Sequence, residues 1–188
     1  MQVYRRREWS DAAVLFLLGP GGAGKSTLGK ALSAHLGWPL IDLDLAFCEQ
    51  IDIIGPFIAR HGYERYRAQN LQLAERLVAS APRPAVFVTS SGFLAADQQS
   101  NDYRNAKALI ATGYTVTVLP SLDVEQATQI VVARLLVRGF GFTHATEEPK
   151  FRTRFAIYKD EGDAQLIGVA PAPEMAAMLA RELNIQTP

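Results

Sequence analysis

Five short apolar runs alternate with longer amphipathic stretches along this chain. The runs at 13–18, 39–44, 85–89, 114–119 and 165–169 are rich in Val, Leu, Ile and Phe and have strand lengths. None approaches the ~20 apolar residues that a membrane span needs. Between the first two, Leu28, Ala31, Leu32 and Leu36 recur at helical spacing, and Gly37 and Pro39 close the segment. A helical stretch from Leu45 is expected to break at Gly55-Pro56. A longer helix over 63–80 carries Leu71, Ala74, Leu77 and Val78 as its stripe. Further helices are predicted over 101–112, after the caps Ser121 and Asp123, and over 147–160 and 173–183. Strand alternating with helix predicts an α/β chain: a three-layer α/β/α fold with a central parallel five-stranded sheet. Residues 13–188 read as a single domain. Residues 1–12, with Arg5, Arg6 and Arg7, read as a solvated N-terminal arm, and 138–147, which holds Gly139 and Gly141, as a mobile lid.

The first strand leads straight into Gly19-Pro20-Gly21-Gly22-Ala23-Gly24-Lys25-Ser26-Thr27, which matches G-x-x-x-x-G-K-[S/T]. Strand, glycine loop and helix is the context that makes this pattern a phosphate-binding site. Glycines let successive backbone N–H groups point inward at a phosphate, and the helix N-terminus adds its positive end. Gly21, Gly22, Ala23, Gly24 and Thr27 are the expected cradle. Lys25 is expected to reach the β- and γ-phosphates of ATP, and Ser26 to ligate Mg²⁺.

Composition narrows the partners. The 188 residues are 48% hydrophobic and 20% charged, with zero formal net charge. No global field invites nucleic acid or an anionic membrane, so neither is expected as a partner, and a monomer is the expectation. The single cysteine, Cys48, excludes an internal disulfide and fits a reducing cytoplasm; its neighbours Leu45, Ala46 and Phe47 suggest a packed thiol. His35, His61 and His144 lack metal-ligand spacing.

Ligands of an open parallel sheet gather at the carboxyl ends of its strands. That rule brings the glycine loop together with Asp42 and Asp44 and with Ser90-Ser91-Gly92. Two aspartates at i and i+2 of a strand end point the same way, so one can serve Mg²⁺ while the other faces an acceptor hydroxyl.

Several stretches carry a resemblance to the shikimate kinases. The stretch GPGGAGKSTLGKALSAHLGWPLIDLD resembles their opening, including the LG-x-x-x-x-D-x-D ending. GYERYRAQNLQL, from Gly62 to Leu73, is similar to their G-E-x-x-F-R-x-x-E segment, matching at Gly62 and Arg67 with Tyr66 in place of phenylalanine. VTSSG stands where the family has a triple glycine, and RFAIY (Arg154 to Tyr158) resembles the late R-x-x-x-Y motif. The resemblance implies a P-loop small-molecule kinase that uses ATP and Mg²⁺ on shikimate or a related hydroxy acid. It implies Asp44 as the base at the acceptor hydroxyls, and Asp42 beside Ser26 at the metal. Lys25 and a lid arginine, Arg138, would act on the transferring group. Arg67 and Arg154 would clamp the acceptor carboxylate, with Ser91 and Gly92 beside it, and Arg134 would lie against adenine.

The departures fall on the acceptor side. Ser90 and Ser91 replace two glycines, Asn70 replaces a glutamate one turn beyond Arg67, and Tyr63 replaces another glutamate. The serines are expected to narrow the acceptor pocket or to offer it new hydroxyl contacts, and the Asn70 amide to orient Arg67 without neutralising it. Two function classes stand at this point. One is an active kinase with altered acceptor preference; the other is a nucleotide-binding relative that has lost transfer and serves a regulatory or partner role.

Overall fold

The computed structural model describes residues 1–9, 13–137 and 143–186. Strand β1 (Gln2–Arg5) comes first, then β2 (Val14–Leu18) and helix α1 (Lys25–Leu36). They are followed by β3 (Leu40–Asp42), α2 (Leu43–Gln50), α3 (Ile54–His61) and α4 (Tyr63–Ser80). The rest is β4 (Ala85–Val88), α5 (Asn101–Ile110), β5 (Tyr114–Leu119), α6 (Val124–Leu136), α7 (His144–Tyr158), β6 (Ala164–Ile167) and α8 (Ala172–Glu182). The sheet runs β1-β6-β5-β2-β4-β3, so the strand that feeds the glycine loop lies inside it, parallel to β4 and β5.

Strand alternation sorts β2 between two cores. Leu15 and Leu17 pack with Val86, Val88, Val116 and Val118 under α1 and α8. Val14, Phe16 and Leu18 face the other way, toward Phe47, Tyr66, Leu73 and Ala106 on α2, α4 and α5. A sheet covered on both faces reads as continuous apolar runs, which is why its strands were visible in the pattern. The three layers are therefore as expected, and α4 and β5 have the expected bounds.

The sheet has six strands, not five, and is not wholly parallel. β1 pairs antiparallel with β6, Gln2 opposite Ile167 and Arg5 opposite Ala164. Residues read as a solvated arm thus form an edge strand, with Val3 packed inward. Arg7 anchors its end: Nε and Nη2 donate to the two oxygens of Asp163 at 2.7 and 2.8 Å, and Thr115 donates its N–H and hydroxyl to the same carboxylate, both at 2.8 Å. Burial would raise the Asp163 carboxyl, but the bonds from Arg7 and Thr115 outweigh it and hold the group below its ordinary range. A depressed carboxylate contributes stability that is present above its unfolded pKa and lost as pH falls through the folded value. Asp163→Ala should therefore cost about 1–3 kcal/mol near neutral pH. The difference between wild-type and variant melting temperatures should shrink below about pH 4, where the unfolded carboxyl also titrates.

Two further expectations change. The helix break falls at 51–53, and Gly55 and Pro56 lie inside the first turn of α3, where proline forfeits no helical hydrogen bond. Cys48 is exposed, because Leu43, Ala46 and Phe47 form the buried stripe of α2 and position 48 falls off it.

Candidate active site

The loop after β2 turns through Gly22 at φ 77° and Gly24 at φ 105°, values that side-chain-bearing residues rarely adopt. Gly24 is the N-cap of α1 and supplies no side chain, so the helix N-terminus is not satisfied by a cap. Lys25 is buried, its Nζ donating to Gly19 O at 2.8 Å and Pro20 O at 3.1 Å. That folds its ammonium over the loop in which a phosphate would sit. Ser26 and Thr27 stand exposed on the first turn of α1.

Asp42 and Asp44 do not share a strand end. β3 stops at Asp42, whose Oδ1 caps α2 by accepting from the N–H groups of Asp44 (3.2 Å) and Leu45 (3.4 Å). Asp44 lies in the first turn of α2 and lines a cavity of about 260 Å³ with Gly21, Lys25, Ser26, Ser91 and Arg154. Burial pushes its carboxyl above the usual range, opposed by Lys25 and reinforced by Asp42; the Tyr66 hydroxyl, which donates at 3.4 Å, pulls it back slightly. N-capping is a preference of aspartate that the strand reading overlooked.

The serines divide in the same way. Ser91 faces the cavity and accepts from Arg154 Nη1 at 2.8 Å. Ser90 is 2% exposed and turns into the core, where Asn70, 3% exposed, donates its amide to Ser90 Oγ at 2.8 Å. Only one serine can therefore narrow the pocket, and the Asn70 amide serves Ser90 instead of orienting Arg67. Among the described residues, Arg67 Nε and Asn70 Oδ1 are buried without a hydrogen-bond partner. Arg67 makes a 3.4 Å bond to Ala95 O and a 4.0 Å ion pair with Asp102. Ser90→Gly should thus strand a buried amide and cost about 1–3 kcal/mol, read as a shift in denaturant midpoint. Adding Asn70→Glu should restore part of this loss, since a carboxylate three residues beyond Arg67 can accept from its Nε.

A second cavity, of about 580 Å³, opens on the far side of the loop between Gly22, Ala23, Gly24, Thr27, Arg134, Gly168, Ala170 and Met175. Arg134 Nη1 donates to Gly22 O at 3.4 Å, which ties α6 to the loop. The wall from β6 to α8 was not anticipated; Gly168 at the end of the last strand was its available signal. Glu147 and Lys150, also unanticipated, reach the smaller cavity from α7 and form an ion pair at 3.5 Å. Arg138, and with it part of the expected lid, lies outside the described residues.

The family model for shikimate kinase matches residues 21–132. A shikimate kinase of Psychrobacter sp. is 33% identical over 112 residues, covering 59% of this chain and 58% of that protein. The chain thus spans less than two thirds of the length of this curated relative. Among solved structures, the shikimate kinase of Bacteroides thetaiotaomicron superposes with a TM-score of 0.70 at 23% identity, over 92% of this chain and 99% of that one. The shikimate kinase of Acinetobacter baumannii, solved with shikimate, gives 0.69 at 20% identity, over 92% and 94%. At these identities the structures speak for the fold. The sequence match runs over more than half of the chain and includes most of the glycine loop, Asp44, Arg67 and the strand end at Ser91, and on that ground this chain belongs to the shikimate kinase family.

Proposed function

We propose that this protein is an ATP- and Mg²⁺-dependent kinase that transfers the γ-phosphoryl group to a hydroxyl of a small carboxylated molecule, shikimate or a related hydroxy acid. One observation carries the reading: Lys25 and Ser26 from α1, Asp44 from α2 and Arg154 from α7 meet in one cavity beside the glycine loop. The residues fit the nucleotide. The left-handed glycines and the side-chain-free N-cap of α1 form a cradle for phosphate oxygens, and the larger cavity beside Arg134 suits a base and sugar. The Ser26 hydroxyl would ligate Mg²⁺, which when bound neutralises phosphate charge, and Asp42, whose Oδ1 caps α2 and which does not line the cavity, would reach the ion through its bound water.

The chain's own residues supply positioning and charge. Asp44 accepts the proton of the acceptor hydroxyl; its raised pKa makes it a stronger base than a solvated carboxylate. Lys25 stands ready to exchange two carbonyl partners for phosphate oxygens. Arg154 presents a guanidinium whose described hydrogen bonds go to neutral hydroxyls, which suits it to a carboxylate. A cytoplasmic location fits a chain with one cysteine and no internal disulfide. The test is ADP release over a panel of hydroxylated carboxylic acids, shikimate and quinate included, against substrate-free hydrolysis. Acceptor-dependent ADP release with a phosphorylated product in equal amount supports the kinase. ATP binding with no acceptor-dependent release would leave a non-catalytic nucleotide-binding protein.

A further inference from the structure

Arg67 and Arg154 do not face the same space. Arg154 lines the cavity that holds Asp44 and Lys25. Arg67 lines a separate void of about 10 Å³ with Asn70, Gly92, Phe93 and Asp102, room for about one water. Tyr63 stands between them. Its hydroxyl accepts from Arg154 Nη2 at 3.1 Å, and the guanidinium carbon of Arg67 lies 5.8 Å from the centre of its ring. The backbone sets this position: Gly62, at φ 81°, turns the chain so that α4 starts with Tyr63. The phenol oxygen then packs directly on Gly92, 2.1 Å from where a Cβ of that residue would be.

We propose that Tyr63 sets the size of the acceptor. Its phenol partitions the acceptor site, so that Arg154 alone receives the carboxylate and the site takes a compact, open-chain hydroxy acid in preference to a ring-bearing one. This rests on the kinase reading above and deepens it. The acceptor has to place a hydroxyl at Asp44 and a carboxylate at Arg154 within about 260 Å³ that also receives the transferred phosphoryl group. A ring would extend toward the Gly92 backbone and Arg67, and both are covered by the phenol. In the family's pattern a glutamate stands at position 63; the longer aromatic side chain reaches across to Arg154, where it caps one guanidinium nitrogen while Ser91 caps the other.

Calorimetric titration in the presence of ADP and Mg²⁺, with glycerate and shikimate as probes, tests this without requiring turnover. The native protein should bind glycerate at least 10-fold more tightly than shikimate. Tyr63→Ala should tighten shikimate binding at least 10-fold while leaving ADP affinity unchanged. Tyr63→Phe, which keeps the ring and removes the oxygen from Gly92 and Arg154, should give a smaller gain in the same direction. It carries the comparison if Tyr63→Ala melts below the assay temperature. Native binding of shikimate as tight as that of glycerate, or no gain in folded Tyr63 variants, overturns the proposal and leaves the kinase reading standing. Normal ADP binding with neither acid bound by native or variant protein overturns the carboxylated-acceptor reading, and the size argument with it.

Discussion

Lys25→Met should reduce phosphoryl transfer at least ~100-fold, the loss seen when one preorganised charge-stabilising donor is removed. Methionine keeps the apolar stem, which is buried with the rest of the residue, and removes only the ammonium. That ammonium bonds to the carbonyls of Gly19 and Pro20. Those carbonyls belong to the same loop that would hold the phosphates, so the charge is stored where it is needed and requires little rearrangement. The melting temperature should move far less than the rate. Steady-state ADP release and thermal unfolding, measured on the same preparation, check both halves of the expectation. A variant that turns over at the native rate would make the loop a structural relic and end the kinase reading.

Asp44→Asn should lower kcat by about 10²–10⁴-fold, the usual contribution of a positioned general base, with ATP affinity little changed. Asp42→Asn should instead alter the Mg²⁺ dependence while leaving α2 capped, because asparagine offers the same side-chain oxygen to the N–H groups of Asp44 and Leu45. The pH profile supplies an independent readout. Burial raises the Asp44 carboxyl, so the acid limb of kcat/KM should lie above the ordinary carboxylate range of about 3.9. Activity is lost as pH falls through that value, since the base is then protonated. The Tyr66 hydroxyl donates to the ionised form and lowers the value. Tyr66→Phe should therefore move the limb to still higher pH while the plateau rate changes little. If Asp44→Asn merely weakened ATP binding, with turnover at saturation unchanged, Asp44 would not be the base.

Much of this was legible along the chain because it depends on neighbours in sequence. The glycine loop, the stripe of α4 and the apolar β5 each follow from local periodicity and local backbone freedom. The meeting of the loop with Asp44 and Ser91 followed from one topological rule, that parallel strands deliver their ligand-binding ends to one edge. Where local preferences competed, reading the chain failed. Asp42 could end a strand or cap a helix, and it does both, which sends Asp44 round to the cavity alone.

The remaining features were decided by segments far apart in the chain. β1 carries no strong pattern of its own and becomes a strand because β6 offers an open edge and Asp163 offers Arg7 a partner. Ser90 and Ser91 are adjacent and identical, yet one faces Asn70 in the core and the other faces Arg154 at the cavity. Tyr63 looks like an ordinary first-turn residue until Gly92 and Arg154, from β4's exit and α7, are packed against its hydroxyl. Periodicity reports which residues are apolar and how a segment winds. Which polar group meets which depends on how the packed layers bring remote segments together, and a polar group's role is set by the partner it meets there.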